Sequence, residues 1–133
     1  MFLNRFFARV SLILLFSLGA CVNASSIADE PLRSGHQSTF TAPYEKVTDA
    51  AIASLHKLDV SITQVTKRDD GTVILLSKHP GAFSWGEVGR VFVEKPNGPD
   101  TTVYAIMELR STSTNARGFS GHLFTHMKDA LEK

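Results

Sequence analysis

A single cysteine, Cys21, stands in the whole chain, so no intramolecular disulfide can form. The core must therefore be held by packing and hydrogen bonding. One tryptophan and two tyrosines leave few large amphipathic side chains of the kind that anchor interfaces. Charge of neither sign is in excess: 14 basic residues face 13 acidic ones, for a formal net charge of +1. Nucleic-acid recognition needs a basic patch or stripe, and polybasic membrane attraction needs a cluster of Lys and Arg. The sequence has neither, so nucleic acid is not an expected partner. No cofactor is expected. A bilayer-spanning helix takes about 20 apolar residues, and the one apolar run near the start, even counted from Phe6, ends at Leu18. Internal repeats and low-complexity tracts are lacking too.

What is present begins at the N-terminus. Arg5 and Arg9 form a positive region without acidic residues, residues 10–18 are apolar apart from Ser11 and Ser17, and small residues Gly19 and Ala20 follow. This is the layout of a secretory signal peptide over residues 1–20. Leu18-Gly19-Ala20-Cys21 resembles the lipobox of bacterial lipoproteins, with an aliphatic residue three positions before the cysteine and two small residues between. The resemblance implies diacylglycerol on the Cys21 sulfur, cleavage before Cys21, and acylation of the new amino terminus. Each buried methylene contributes about 0.8 kcal/mol, and one acyl chain binds only reversibly, so two or three chains are needed to hold. Val22, where an inner-membrane protein of this class usually carries aspartate, points by the same resemblance to the outer membrane and a periplasm-facing domain. The alternative is cleavage after Val22-Asn23-Ala24, which would release a soluble periplasmic or secreted protein beginning at Ser25.

Removal of Arg5 and Arg9 with the signal leaves twelve basic and thirteen acidic residues, close to −1. Residues 21–37 are small and polar and read as a lipidated cysteine and flexible tether. A free tether of about 15 residues has a root-mean-square reach of roughly 20 Å, enough to let a domain stand off the membrane.

Residues 38–133 have the pattern of one α+β domain. A short strand is expected at 38–42. Pro43 and Glu45 then open a helix to Leu58, with Tyr44, Val47, Ala51, Leu55 and Leu58 on one face. A β-branched segment, 60–67, meets Arg68-Asp69-Asp70-Gly71-Thr72, a hairpin signal whose loop is two or three residues long. Strands at 72–77, 87–95 and 101–110 follow, and a last helix at 119–132 takes Ser120 as a plausible N-cap. The order is β-α-β-β-β-β-α, an antiparallel sheet packed against two helices. The first strand is expected beside the fifth, where every pairing is antiparallel. This topology resembles, without any residue motif to carry it, the helix-grip domains of a lipoprotein of the outer-membrane barrel-assembly machinery.

Candidate chemistry is sparse. Ser120 lacks the glycine two residues on that a nucleophile elbow needs. His122 and His126 share a helix face and would supply half a zinc site, but no zincin glutamate follows His122; solvated boundary histidines explain them as well, and no metal is assigned. Asp69 and Asp70 suit turn chemistry. Trp85, in the 79–86 loop, is either an interaction anchor or a cap on the core. Strand alternation sets Tyr104 and Ile106 on one face of the last strand; with both helices on one side of the sheet, the second face still carries apolar side chains, either a surface for a partner, a second copy or a lipid, or one hidden in part by sheet curvature. The expected protein is a non-enzymatic envelope lipoprotein attached through Cys21, with an envelope protein as partner and Trp85, Tyr104 and Ile106 as possible interaction residues. The alternatives are a binding module for a small apolar ligand or lipid, and a metal-binding or hydrolytic protein using His122 and His126.

Overall fold

Period-two alternation along four consecutive strands fixes the centre of the molecule. The computed structural model describes residues 24–80, 86–109 and 118–133. Its elements are α1 (Ala24–Asp29), β1 (His36–Phe40), α2 (Tyr44–Leu55), β2 (Ser61–Arg68), β3 (Gly71–Lys78), β4 (Glu87–Glu94), β5 (Thr101–Leu109) and α3 (Phe119–Leu131). The five strands form one sheet in the order β1-β5-β4-β3-β2, antiparallel throughout. β1 lies beside β5, as the sequence predicts, and the register sets Ser38 opposite Val103.

On the inner face, Ile74 and Leu76 of β3, Val91 and Val93 of β4, and Val103, Ala105 and Met107 of β5 point into one core. Val47, Ala51 and Leu55 of α2 and Leu123 and Met127 of α3 close it from the other side. The helical stripe and the strand alternation meet because each buries its one apolar face against the other. Thr72 is buried at the border of this core and its hydroxyl is hydrogen-bonded to Tyr44 Oη. The Thr101 hydroxyl donates to the Ala42 carbonyl at 2.9 Å, tying the β1–α2 connection to β5.

The structure sharpens several boundaries. Pro43 is the N-cap of α2 rather than its first helical residue, and the helix ends at Leu55, three residues before Leu58. The β2–β3 loop is the two-residue form, because Arg68 pairs with Gly71. Gly71 itself begins β3 at φ +150°; a Cβ there would lie 2.2 Å from the Val93 carbonyl oxygen, so the close strand approach requires glycine. β2 carries a bulge between Ile62 and Gln64. Gly118, in the left-handed conformation, caps α3 without a side-chain hydrogen bond, so Ser120 lies inside the first turn and is not the cap.

The largest departure is at the start. Residues 24–35 fall in the stretch expected to be a free tether, yet they hold a helix, α1, that packs on β3 and β4 on the face away from α2 and α3. β1 also begins two residues earlier than predicted, at His36.

Leu123 is fully buried, whereas Val65 on β2 is 45% exposed. Leu123→Ala is expected to lower the unfolding free energy by about 2–5 kcal/mol, and Val65→Ala to stay within about 0.5 kcal/mol of the parent. Chemical denaturation of both variants checks the contrast.

Candidate functional site

Among the alternate residues that build the outer sheet face are Val73, Val88, Arg90, Phe92, Tyr104 and Ile106. Five of these are apolar or aromatic. The sixth, Arg90, stands in the middle of β4 and is only 1% exposed. Burying a guanidinium is expensive unless its donors are used. Here Nη1 donates to the carbonyls of Ile27 at 2.9 Å and Glu30 at 2.6 Å. Nη2 donates to the Pro31 carbonyl at 2.6 Å and to Ser34 Oγ at 2.9 Å.

All four acceptors lie in residues 24–35, hereafter the strap. The carbonyls belong to the end of α1 and the turn that follows it, where a helix leaves acceptors without intrahelical partners and carries partial negative charge. Arg90 supplies both the donors and the positive charge. Burial lowers its pKa, and the Glu30 carboxylate acts in the opposite direction.

The strap runs along β4. Ile27, 1% exposed, packs on Val88 near one end of the strand. Arg90 grips residues 27–34 at the middle. At the far end Arg33 forms an ion pair with Glu94, with Nε 2.9 Å from Oε1. This pair is solvent-facing on the arginine side and contributes little to stability by itself. Pro31 and Ser34 close a turn through Ser34 N–H to the Pro31 carbonyl at 2.9 Å. Gly35, at φ +89°, then passes so close to β5 that a Cβ would sit 2.4 Å from the Ala105 carbonyl oxygen. Only glycine lets the strap turn into β1 there.

Tyr104 and Ile106 occupy the outer face, where alternation puts them, and both are engaged within the chain. Ile106 is buried. The Tyr104 ring stacks on Phe92 at 6.2 Å between centroids and 23° between planes, and its hydroxyl lies 3.4 Å from Glu94 Oε2. Burial first, and the Glu94 charge second, raise the Tyr104 pKa, while Arg33 lowers it. Cys21 and Trp85 lie outside the described residues. His122 is exposed and His126 half-buried on α3. Among the described residues no group of three or more His, Cys, Asp or Glu side chains is placed to hold a metal.

Sequence reasoning missed Arg90. The available signal was a lone charge at mid-strand, sharing a face with Val88 and Phe92.

A second feature lies across the molecule. Among the described residues β1 has one strand neighbour, β5, and no strand pairs with its other edge. Between that edge and α3 runs a groove of about 560 Å³, lined by Thr39, Phe40, Ala42, Phe124, Lys128 and Leu131 among others. Phe40 and Phe124 meet edge to face at its floor, 6.3 Å apart at 61°. The two sheet edges differ. β2 has its bulge and ends in Lys67 and Arg68, devices that discourage strand addition. β1 reads His-Gln-Ser-Thr-Phe, with no lysine, arginine, proline or bulge.

No protein-family model matches this chain, and a search of curated proteins finds no relative.

Arg90→Met removes four charge-assisted hydrogen bonds, each typically contributing about 1.5–3 kcal/mol. Hydrogen–deuterium exchange is expected to quicken about tenfold or more in residues 27–34 while α2 and β3 keep their protection. Uniform protection across the strap would contradict the clamp.

Glu108 lies on β5 opposite Val88, and burial first, then the Glu30 charge, raises its pKa. A carboxyl whose folded-state pKa is raised favours the fold while protonated, and that contribution is lost as pH rises through the folded value. Glu108→Gln is therefore expected to raise the thermal midpoint at pH 7.5, with the gain vanishing below the ordinary carboxylate range. A pH series of thermal melts reads this directly.

Proposed function

We propose that this protein is a non-enzymatic bacterial envelope lipoprotein, attached through lipid on Cys21 to the outer membrane, that pairs its β1 edge with an extended segment of another envelope protein. The lipobox-like Leu18-Gly19-Ala20-Cys21 supports the attachment. The observation that carries the interaction is the difference between the two sheet edges: one blunted by a bulge and two cations, the other without lysine, arginine, proline or bulge and continuous with a groove about 560 Å³ in volume. Strand addition takes its affinity from main-chain hydrogen bonds and its specificity from pockets for alternate side chains. An open edge beside an aromatic-floored groove offers both. The outer face, the other candidate surface, is occupied by the strap.

A second reading rests on the same groove. Its volume falls within the range of about 300–1,000 Å³ typical of small-molecule sites, and Phe40, Phe124 and Leu131 would suit an apolar ligand.

Photo-crosslinking in intact cells tests the first reading. A photoreactive residue at Gln37, exposed on β1, is expected to give a discrete protein adduct, and one at Gln64, exposed on β2, is not. Cys21→Ser is expected to move the protein from the membrane to the soluble fraction and to reduce the Gln37 adduct several-fold. Equal adducts from both edges, or none from Gln37, would defeat the strand-pairing reading.

A further inference from the structure

The strap changes what a lipid on Cys21 would do. A free tether over residues 21–37 would give the domain roughly 20 Å of play. In the structure the chain is already helical at Ala24 and gripped by Arg90 from Ile27 onward. Three residue steps lead from Cys21 to Ala24, and fully extended chain advances at most about 3.6 Å per residue. The leash is thus no longer than about 11 Å. Given lipid on Cys21, on which this inference rests, we infer that the Arg90-clamped strap seats the domain directly on the lipid surface in one orientation, with the α1 end of the sheet towards the bilayer.

The direction follows from the order of contacts along β4: Ile27 at Val88, then residues 27–34 at Arg90, then Arg33 at Glu94. The strap starts at the Val88 end, so that end is membrane-proximal. The Glu94 end is the far one. Six residues of strand at about 3.3 Å each put it roughly 20 Å further out. Thr101 and Phe40, paired with each other, lie at this outer end because Val93 pairs with Val103 and Gly71 with Glu94. The Phe40 end of the groove therefore opens away from the lipid, where an extended partner segment has room. Arg90 is a positioning residue in this arrangement: it touches no lipid, and sets the height and tilt of the domain through main-chain carbonyls.

The experiment uses the full-length lipidated protein in vesicles of phosphatidylethanolamine and phosphatidylglycerol. A donor fluorophore is placed on Asn97→Cys, in the exposed β4–β5 turn, and acceptors in the lipid headgroups. Time-resolved energy transfer is expected to give one narrow distribution of heights. Arg90→Met is expected to broaden it and shift it outward by about 10 Å, towards the reach of a free tether. Because Arg90→Met risks the fold, a second variant inserts ten Gly/Ser residues between Asn23 and Ala24. This leaves the clamp intact and is expected to broaden the distribution equally. A parent distribution as broad as that of the insertion variant, or an insertion that changes nothing, overturns the inference. Mass spectrometry of the mature N-terminus separates the two levels: an unmodified Cys21 removes the lipoprotein reading, whereas a lipidated Cys21 with a broad parent distribution removes only the seating.

Discussion

One buried guanidinium organises the outer half of this molecule. A positive charge under a sheet face is unstable there unless its donors find acceptors, and Arg90 finds them in three carbonyls and a hydroxyl of the strap. The dependence runs both ways. Without the strap, Arg90 would sit exposed among Val88, Phe92 and Ile106 on an apolar face. Without Arg90, the carbonyls at the end of α1 would lose their partner, and a six-residue helix is too short to persist without tertiary support. Ile27 on Val88 adds apolar burial to the same junction. The strap is thereby part of the folded domain.

The inner half obeys simpler rules, and there the sequence was easy to read. The three- and four-residue spacing of Val47, Ala51 and Leu55, and of Leu123 and Met127, marks helix faces whatever they pack on. Alternation in β3, β4 and β5 sorts Ile74, Val91 and Val103 from Val73, Phe92 and Tyr104 without knowledge of the topology. The β1–β5 pairing follows from a single helix connecting β1 to β2, together with the demand for antiparallel neighbours. Finer choices depended on backbone geometry that residue type only hints at. Gly118 caps α3 through its left-handed conformation where Ser120 offered the more familiar side-chain cap, and the bulge at Ile62/Gln64 has no glycine to announce it.

The strap was illegible for a different reason. Asn, Ser, Asp, Glu and Pro in residues 23–34 are the composition of a solvated leash, and nothing within that stretch says otherwise. What docks it lies some sixty residues later. Main-chain carbonyls are acceptors at every position, so an arginine that binds them leaves no matching residue type to search for. Tyr104 and Ile106 show both sides of this. Their face was predictable from alternation, while the close approach of Gly35 to Ile106 was not, since it comes from a segment without a hydrophobic pattern of its own.

The unequal borders of the sheet limit how the molecule can associate. A strand added at β1 places its own far side outward, but β2, bent by its bulge and carrying Lys67 and Arg68, offers no matching seam on the next copy. Open-ended polymers require two complementary patches on one subunit. Among the described residues the sheet offers such a border at β1 alone, so under the proposed strand pairing association terminates after a single addition, at a stoichiometry of one guest per domain.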